Sequence, residues 1–165
     1  TWVLAVEMAS TGLAHMSKMI SQQILRIGDP GFTKLNRFLT PAEGAVIAYG
    51  TIQKTVSYLD TENRMYANPC SLDFLSMAGH IEDTASNSTM AASNMRKIID
   101  NLYYMAAIEL MHAAQAVDLR EIPQLGEGTK PLFEAYRKKV PYLDNDRNMS
   151  VDIQKTYEFL KSYKA

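Results

Sequence analysis

The chain has 165 residues, of which 47% are hydrophobic and 21% charged, and its 17 basic residues nearly balance 18 acidic ones. This length and composition are typical of a globular domain and exclude an intrinsically disordered chain. A net charge of −1 without a basic stripe argues against nucleic-acid binding. The single cysteine, Cys70, excludes an internal disulfide.

The two ends of the chain and its apolar runs bear on where the protein resides. No run of about 18 apolar residues predicts a transmembrane helix, and the first residues lack the basic stretch of a signal peptide. We therefore expect a cytoplasmic protein with no membrane contact. The chain opens at Thr1, inside a pattern that is already helical, so we expect a front portion of a longer protein before it.

Three long helices are predicted in the first 120 residues. The first runs from Trp2 to about Ile27, with apolar residues at helical spacing. The second is predicted from Pro41, capped by Thr40, to about Ala67. The third, from about Asp83 to Leu119, contains no glycine or proline and would be roughly 55 Å long. Such a helix exceeds the ~15 Å radius of gyration of a compact domain of this size, so it should run through a larger bundle.

Two shorter helices complete the prediction. One covers Lys130 to Val140, with Thr129 as its cap, and the last follows Ser150, with Asp152 near its positive end. No strand-like alternation is present, and the predicted fold class is all-α. Ala-rich, apolar sequence covers nearly every face of the third helix in its second half, which predicts burial and association.

The sequence His-Ile-Glu-Asp at residues 80–83 stands where the third predicted helix begins. Carboxylates at this place interact favourably with the helix dipole, by ~0.3–1 kcal/mol, and spacing alone favours such a structural cap. The alternative is functional. Glu82, with His80 two residues before it, would bind a substrate ammonium group or move a proton.

Other chemistry-bearing residues give weaker patterns. The three histidines lack metal-ligand spacing, so no metal site is predicted. Cys70 has no obvious base partner and is not expected to be a nucleophile. Glu109 lies in an apolar stretch and is expected to be buried and partnered, because an unpaired buried carboxylate is costly.

The segment from Asn68 to Arg120 resembles the C-terminal part of the aromatic amino acid ammonia-lyases, and of histidine ammonia-lyases in particular. In that family a Pro-x-Ser-x-Asp element precedes a Gln-Glu-Asp-His signature and a long helix that ends in Ala-Ala-Gln-Ala-x-Asp-Leu-Arg. The residues here that match these elements are Pro69, Ser71, Asp73, Glu82, Asp83, Ile108, Glu109, Leu110 and residues 113–120. Further matches are Gln53, Glu62, Asn63, Asp146 and Arg147.

The resemblance implies the C-terminal part of the fumarase/aspartase-like helical fold of these lyases. Residues 1–125 would belong to its central long-helix bundle and residues 126–165 to a C-terminal tail of short helices. It implies a homotetramer of histidine metabolism that eliminates ammonia from an aromatic L-amino acid, with histidine converted to urocanate. The electrophile would be a methylidene-imidazolone, formed from an internal Ala-Ser-Gly.

By the same resemblance, Glu82 matches the signature carboxylate near the substrate amino group and is the predicted catalytic residue. His80, Ile81 and Asp83 are the predicted substrate-pocket residues. Ile81 and Thr84, however, replace the Gln and His of the signature.

No Ala-Ser-Gly occurs in the 165 residues, so the electrophile would come from a preceding segment and the isolated chain is expected to be inactive. The departures leave open a divergent lyase, an aminomutase or an inactive relative. Two rivals of another class are a non-catalytic helical assembly protein and a module that binds a separately encoded lyase fragment.

Overall fold

The computed structural model describes residues 2–41, 47–72, 75–79, 81–82, 85–120 and 124–163. The regular secondary structure within these ranges is helical, apart from one isolated bridge between Met77 and Glu82, and the all-α prediction is confirmed. The helices are α1 (Trp2–Ile27), α2 (Pro30–Thr33), a 3-10 turn (Arg37–Leu39), α3 (Ile52–Tyr66), α4 (Ser88–Asp118), α5 (Thr129–Arg137) and α6 (Met149–Ser162). In the part of the chain so described, no helix is long and apolar enough to cross a membrane.

Helix α1 has the predicted bounds, and a single stripe of its residues is buried. The stripe recurs at alternating steps of three and four, as expected for one helix face. Its members are Val3, Glu7, Ser10, Ala14, Ser17, Ser21 and Ile24, and Ile20 is buried beside Ser21. Between Glu7 and Ser17 the stripe is made of small or polar side chains.

The second predicted helix is wrong in its first part, because α3 begins only at Ile52. Ala48 has a positive φ of 47°, which a helix does not allow. The carboxylate of Asp146 accepts hydrogen bonds from the amides of Ile47 and Ala48, both at 2.9 Å, and holds this turn. A Cβ on Gly50 would lie 2.9 Å from the ring of Phe38, so the close approach requires glycine.

The other helix ends also differ from prediction in detail. Thr129 lies inside α5, whose N-cap is Gly128, so its predicted capping role is wrong. Helix α6 is capped by Asn148, whose side chain accepts from the amide of Ser150, and Ser150 itself lies within the helix. Asp152 does lie in the first turn of α6, as predicted.

The chain divides into two compact units, and the division falls within α1, α3 and α4, each of which contributes to both. The first unit contains Thr1–Met19 and Tyr58–Leu102. Its interior is polar where the three helices meet. Ser17 donates to Asp60 at 2.9 Å, Asn63 donates to Ser17 at 3.1 Å, and Asn101 donates to Asn63 at 2.9 Å.

The second unit contains Ile20–Ser57 and Tyr103–Ala165. Much of the second half of α4 is buried in it, as predicted, although Tyr103 is 38% exposed and Glu109 is only partly buried, contrary to the expectation for that carboxylate. Burial raises the pKa of Glu109. The predicted division into residues 1–125 and 126–165 stays a prediction.

Candidate functional site

Glu82 lies in the connection between α3 and α4, on a tight turn. Its backbone pairs with that of Met77, with N–H to O distances of 3.0 and 3.3 Å in the two directions. Ala78 and Gly79 both have positive φ, 51° and 66°, which reverses the chain between the paired residues. The turn presents Ile81, which is 85% exposed, and the exposed side chain of Glu82.

The interpretation of Glu82 as a helix cap is wrong. Helix α4 begins at Ser88, six positions after Glu82, and has no acidic residue in its first turn. Asn87, directly before the helix, has a φ of 48°, a conformation that asparagine tolerates better than most residues. Because the favourable effect of a carboxylate is confined to the first turn, Glu82 contributes no dipole interaction to α4.

Of the predicted pocket residues, His80 and Asp83 lie outside the described residues. Ile81 and Glu82 are described, and both project from the same turn. The helix that follows is also shorter at its start than predicted. It has 31 residues, which gives a length of roughly 46 Å.

The loop that carries Glu82 is anchored at its start by Glu7 of α1. One carboxylate oxygen of Glu7 accepts from the amide of Cys70 at 2.8 Å and from the amide of Ser71 at 2.9 Å. The other oxygen accepts from the hydroxyl of Ser71 at 2.7 Å. Glu7 is only 8% exposed, so α1 fixes the backbone at this point with a buried carboxylate.

Asn87 ties the end of the same loop to its start. Its side-chain amide donates to the carbonyl of Cys70 at 2.7 Å, across 17 positions of sequence. Cys70 therefore connects both anchors, since its N–H faces Glu7 and its carbonyl faces Asn87. Around Asn87, residues 85–90 and Ser93 line an open depression of about 610 Å³ at the start of α4.

Hydrogen bonds and burial shift the pKa values of two groups in this anchor. The hydroxyl of Ser71 and, less strongly, the amides of Ser71 and Cys70 lower the pKa of Glu7 against the opposing effect of burial. Burial, and then the neighbouring Glu7 carboxylate, raise the pKa of the Cys70 thiol. A protonated thiol is a poor nucleophile, which agrees with the sequence-based expectation for Cys70.

Sequence reasoning missed Glu7, although the sequence contains a signal for it. Glu7 is the sole acidic residue between Trp2 and Ile27. It also occupies a position of the buried stripe of α1. A carboxylate at a core-facing position must find donors, because burial without them is costly.

Several residues of the family-like motifs have structural roles. Glu62 accepts from Asn101 at 2.8 Å and from the hydroxyls of Tyr58 and Tyr66 at 3.3 and 3.2 Å. In the second unit, Gln115 is fully buried and forms a paired contact with the backbone of Leu143. Its amide donates to the carbonyl of Leu143 at 3.0 Å, and its carbonyl accepts from the Leu143 amide at 3.1 Å.

The Asp-Arg pair near the C-terminus likewise has a structural role. Asp146 holds the turn at residues 47–48. Arg147 forms an ion pair with the buried Asp152 at 2.7 Å and donates to the carbonyls of Pro141 and Tyr142. Among the residues that the structure describes, no group of three or more His, Cys, Asp or Glu residues is placed to hold a metal ion.

Solved structures similar to this chain include an ergothioneine-degrading enzyme, a histidine ammonia-lyase and aminomutases for phenylalanine and tyrosine. The crystal structure of the ergothioneine-degrading enzyme ergothionase from Treponema denticola, in complex with desmethyl-ergothioneine sulfonic acid, has a TM-score of 0.92 and 51% identity. The match covers 97% of this chain and 32% of the ergothionase chain. Histidine ammonia-lyase from Trypanosoma cruzi has a TM-score of 0.93 and 26% identity over 97% of this chain and 32% of its own.

Sequence comparison agrees. Histidine ammonia-lyase from Geobacillus sp. (strain WCH70) is 32% identical over 157 residues, which are 95% of this chain and 31% of the relative. The chain thus spans about a third of the length of the relatives that it matches. The sequence model of the aromatic amino acid lyases matches residues 1–138. The chain belongs to the aromatic amino acid lyase family.

Proposed function

We propose that this chain is the C-terminal third of a lyase that eliminates an amine from a histidine-type amino acid and leaves an α,β-unsaturated acid. The observation that carries the proposal is the match to the family over residues 1–138, together with Glu82 on an exposed turn of an anchored loop. An exposed carboxylate on a fixed turn is available to a substrate amine in a way that a helix cap is not.

We further propose that Glu82 is the catalytic carboxylate and faces the amine of the substrate. A primary ammonium group would donate hydrogen bonds to it and could pass it a proton. A quaternary ammonium group has no N–H, so the interaction would be electrostatic alone. His80, Ile81 and Asp83 remain the proposed pocket residues around it.

Ergothioneine is the substrate that we favour over histidine. The identity to ergothionase is 51%, against 32% for histidine ammonia-lyase from Geobacillus sp.. Ergothioneine is a trimethylated, sulfur-containing derivative of histidine, and its elimination would release trimethylamine in place of ammonia. The apolar Ile81, where the signature of the family has an amide side chain, suits the methyl groups of such a substrate.

The chain itself does not fit the role of source for the methylidene-imidazolone, because its 165 residues contain no Ala-Ser-Gly. We propose that a preceding segment of the longer protein supplies this electrophile. The isolated chain should then release no amine from either substrate. A cytoplasmic location stays a prediction.

Self-association, with a tetramer as the expected state, is also proposed. It is supported by the apolar side chains that the first unit leaves exposed on α1, including Leu4 at 56%, Met8 at 75% and Met19 at 63%. Exposed apolar surface of this kind marks an interaction site. Sedimentation at micromolar concentration would test it, and a well-behaved monomer would count against it.

The experiment that tests the function compares two amines released by the protein of full family length. Trimethylamine from ergothioneine and ammonia from histidine are quantified under the same conditions. We expect kcat/KM for ergothioneine to exceed that for histidine by at least ~10-fold, which corresponds to about 1.4 kcal/mol of discrimination. The reverse preference would restore histidine as the substrate, and release of neither amine would favour the non-catalytic assembly protein.

A matched pair of variants separates the role of Glu82 from its structural surroundings. Glu82→Ala should reduce turnover far more than thermal stability, because the side chain is exposed. Ile81→Ala changes a neighbouring exposed side chain and should alter the preference between the two substrates more than the maximal rate. If Glu82→Ala lowers the melting temperature sharply while turnover per folded protein is kept, the catalytic assignment is wrong.

A further inference from the structure

We propose that Glu7 is a positioning residue of the lyase reaction, and that it acts by fixing the start of the loop that carries Glu82. This inference rests on the proposed function of Glu82. All three donors to the Glu7 carboxylate, the amides of Cys70 and Ser71 and the hydroxyl of Ser71, belong to that loop.

Glu7 holds the loop by its backbone, because its carboxylate binds the amides of Cys70 and Ser71. Two successive amides converge on one oxygen of Glu7 at 2.8 and 2.9 Å, which requires a particular local conformation of the chain. Hydrogen bonds to an ionised carboxylate are roughly twice as strong as neutral ones. The loop therefore leaves α1 from one defined point.

The opposite end of the loop is fixed to the same point. Asn87 binds the carbonyl of Cys70 at 2.7 Å, and Ser88 then begins α4. The start of the loop at Cys70 and its end at Asn87 are thus held together, and the two anchors share Cys70. Between them, the pairing of Met77 with Glu82 sets the place of Glu82 in the turn.

The charge of Glu7 is used to bind backbone amides of the loop. Leucine would fill a similar volume without the cost of burying a carboxylate. Asp60 offers the comparison, since it too is a buried carboxylate of the first unit, but its partners are Ser17 and Arg64 on helices α1 and α3. Glu7 differs because what it holds is the loop.

The test uses the protein of full family length and a double-mutant cycle with Glu82. Glu7→Leu should lower kcat/KM by about 10–100-fold, because a misplacement of about 1 Å near the reacting centre costs as much. In the Glu82→Gln background the same change should cost less than about twofold, since the residue through which Glu7 acts is already lost. Losses that multiply in the double variant would overturn the positioning role.

Two further variants guard against a protein that fails to fold. Glu7→Gln keeps the length of the side chain and an oxygen for the two amides, and should retain kcat/KM within about threefold. Ser71→Ala removes a single bond to Glu7 and should give a loss between those of Glu7→Gln and Glu7→Leu. Asp60→Leu is the matched control, which should lower stability and leave kcat/KM per folded protein unchanged.

Amide hydrogen exchange over residues 70–87 measures how firmly the loop is held, independently of enzyme activity. Glu7→Leu should accelerate exchange there, and Asp60→Leu should not. Unchanged exchange in Glu7→Leu would overturn the inference. If the wild-type protein releases neither amine, the proposed function fails, and faster exchange would then leave Glu7 as an anchor of the loop without a positioning role.

Discussion

His112 should make the stability of the second unit depend on pH in the weakly acidic range. The side chain lies in α4, is 1% exposed and has its ring centroid 4.5 Å from that of Tyr49. Its Nδ1 is 2.8 Å from the carbonyl oxygen of Ile108. Since a carbonyl only accepts, Nδ1 carries a proton in this contact.

Burial lowers the pKa of His112 to about 4, against the smaller opposing effect of the hydrogen bond to Ile108. An exposed histidine in the unfolded chain titrates near 6.5. Between these values the unfolded chain binds more protons than the folded one, so the free energy of unfolding falls as the pH falls. A difference of about 2.5 pKa units is worth about 3 kcal/mol when the pH passes below both values.

Urea unfolding of the chain between pH 7.5 and 4.5 measures this effect. His112→Phe keeps an aromatic ring against Tyr49 and removes the titration. The decrease in unfolding free energy over this range should be about 2–3 kcal/mol smaller in His112→Phe than in the wild type. His15→Phe, which removes an exposed histidine, is the matched control and should follow the wild type. Equal pH dependence in the wild type and His112→Phe would refute the reasoning.

Three further substitutions test packing that the structure makes specific. Gln115→Met leaves the backbone amide and carbonyl of Leu143 without their side-chain partner, and urea unfolding should show a loss of about 1–3 kcal/mol. Gly50→Ala places a Cβ 2.9 Å from the ring of Phe38 and should lower the unfolding free energy by about 1–3 kcal/mol. Gly12→Ala, in the middle of α1 with open space around the added Cβ, should raise it by about 0.5–1 kcal/mol. A loss in Gly12→Ala as large as that in Gly50→Ala would contradict the steric argument.

The sequence predicts the long helices well where local pattern decides and poorly where distant contacts do. Helix α1 has the bounds that its periodicity indicates, because the pattern extends over seven turns without a strong breaker. The start of α3 is different. Within its predicted first part, Ile47 and Ala48 lie in a turn held by Asp146, 98 positions away from Ala48, and no local pattern contains that contact.

The prediction of where α4 begins is wrong for a related reason. Residues 83–87 contain no glycine or proline, so nothing in their sequence forbids a helix. Asn87 nevertheless adopts a positive φ while its side chain donates to Cys70, 17 positions earlier. The contact that closes the loop holds Asn87 in a non-helical conformation, so α4 begins at the next residue, Ser88.

The candidate site could be predicted only in part. The resemblance to a family signature points to Glu82, whereas its spacing alone favours a cap that the structure excludes. Glu7 was not identified at all, because its donors lie 63 and 64 positions away. The one local sign of Glu7 is its core-facing position, since a buried carboxylate must find donors.

In the proposed reaction, Glu82 on the loop faces the substrate and Glu7 on α1 holds the start of that loop. The attraction between a carboxylate and a cationic amine is strongest where water is excluded, yet the side chain of Glu82 is exposed on this chain. In the proposed function, the walls that desolvate Glu82 would come from other segments of the longer protein or from another copy. For such walls to close on Glu82, its turn must stand at a fixed place before they arrive, and a mobile loop would lose that fit. Glu7, buried and bound to backbone amides, gives the loop such a place. The loss caused by removing Glu7 should consequently appear only in a protein that still has Glu82, which is the result that the double-mutant cycle measures.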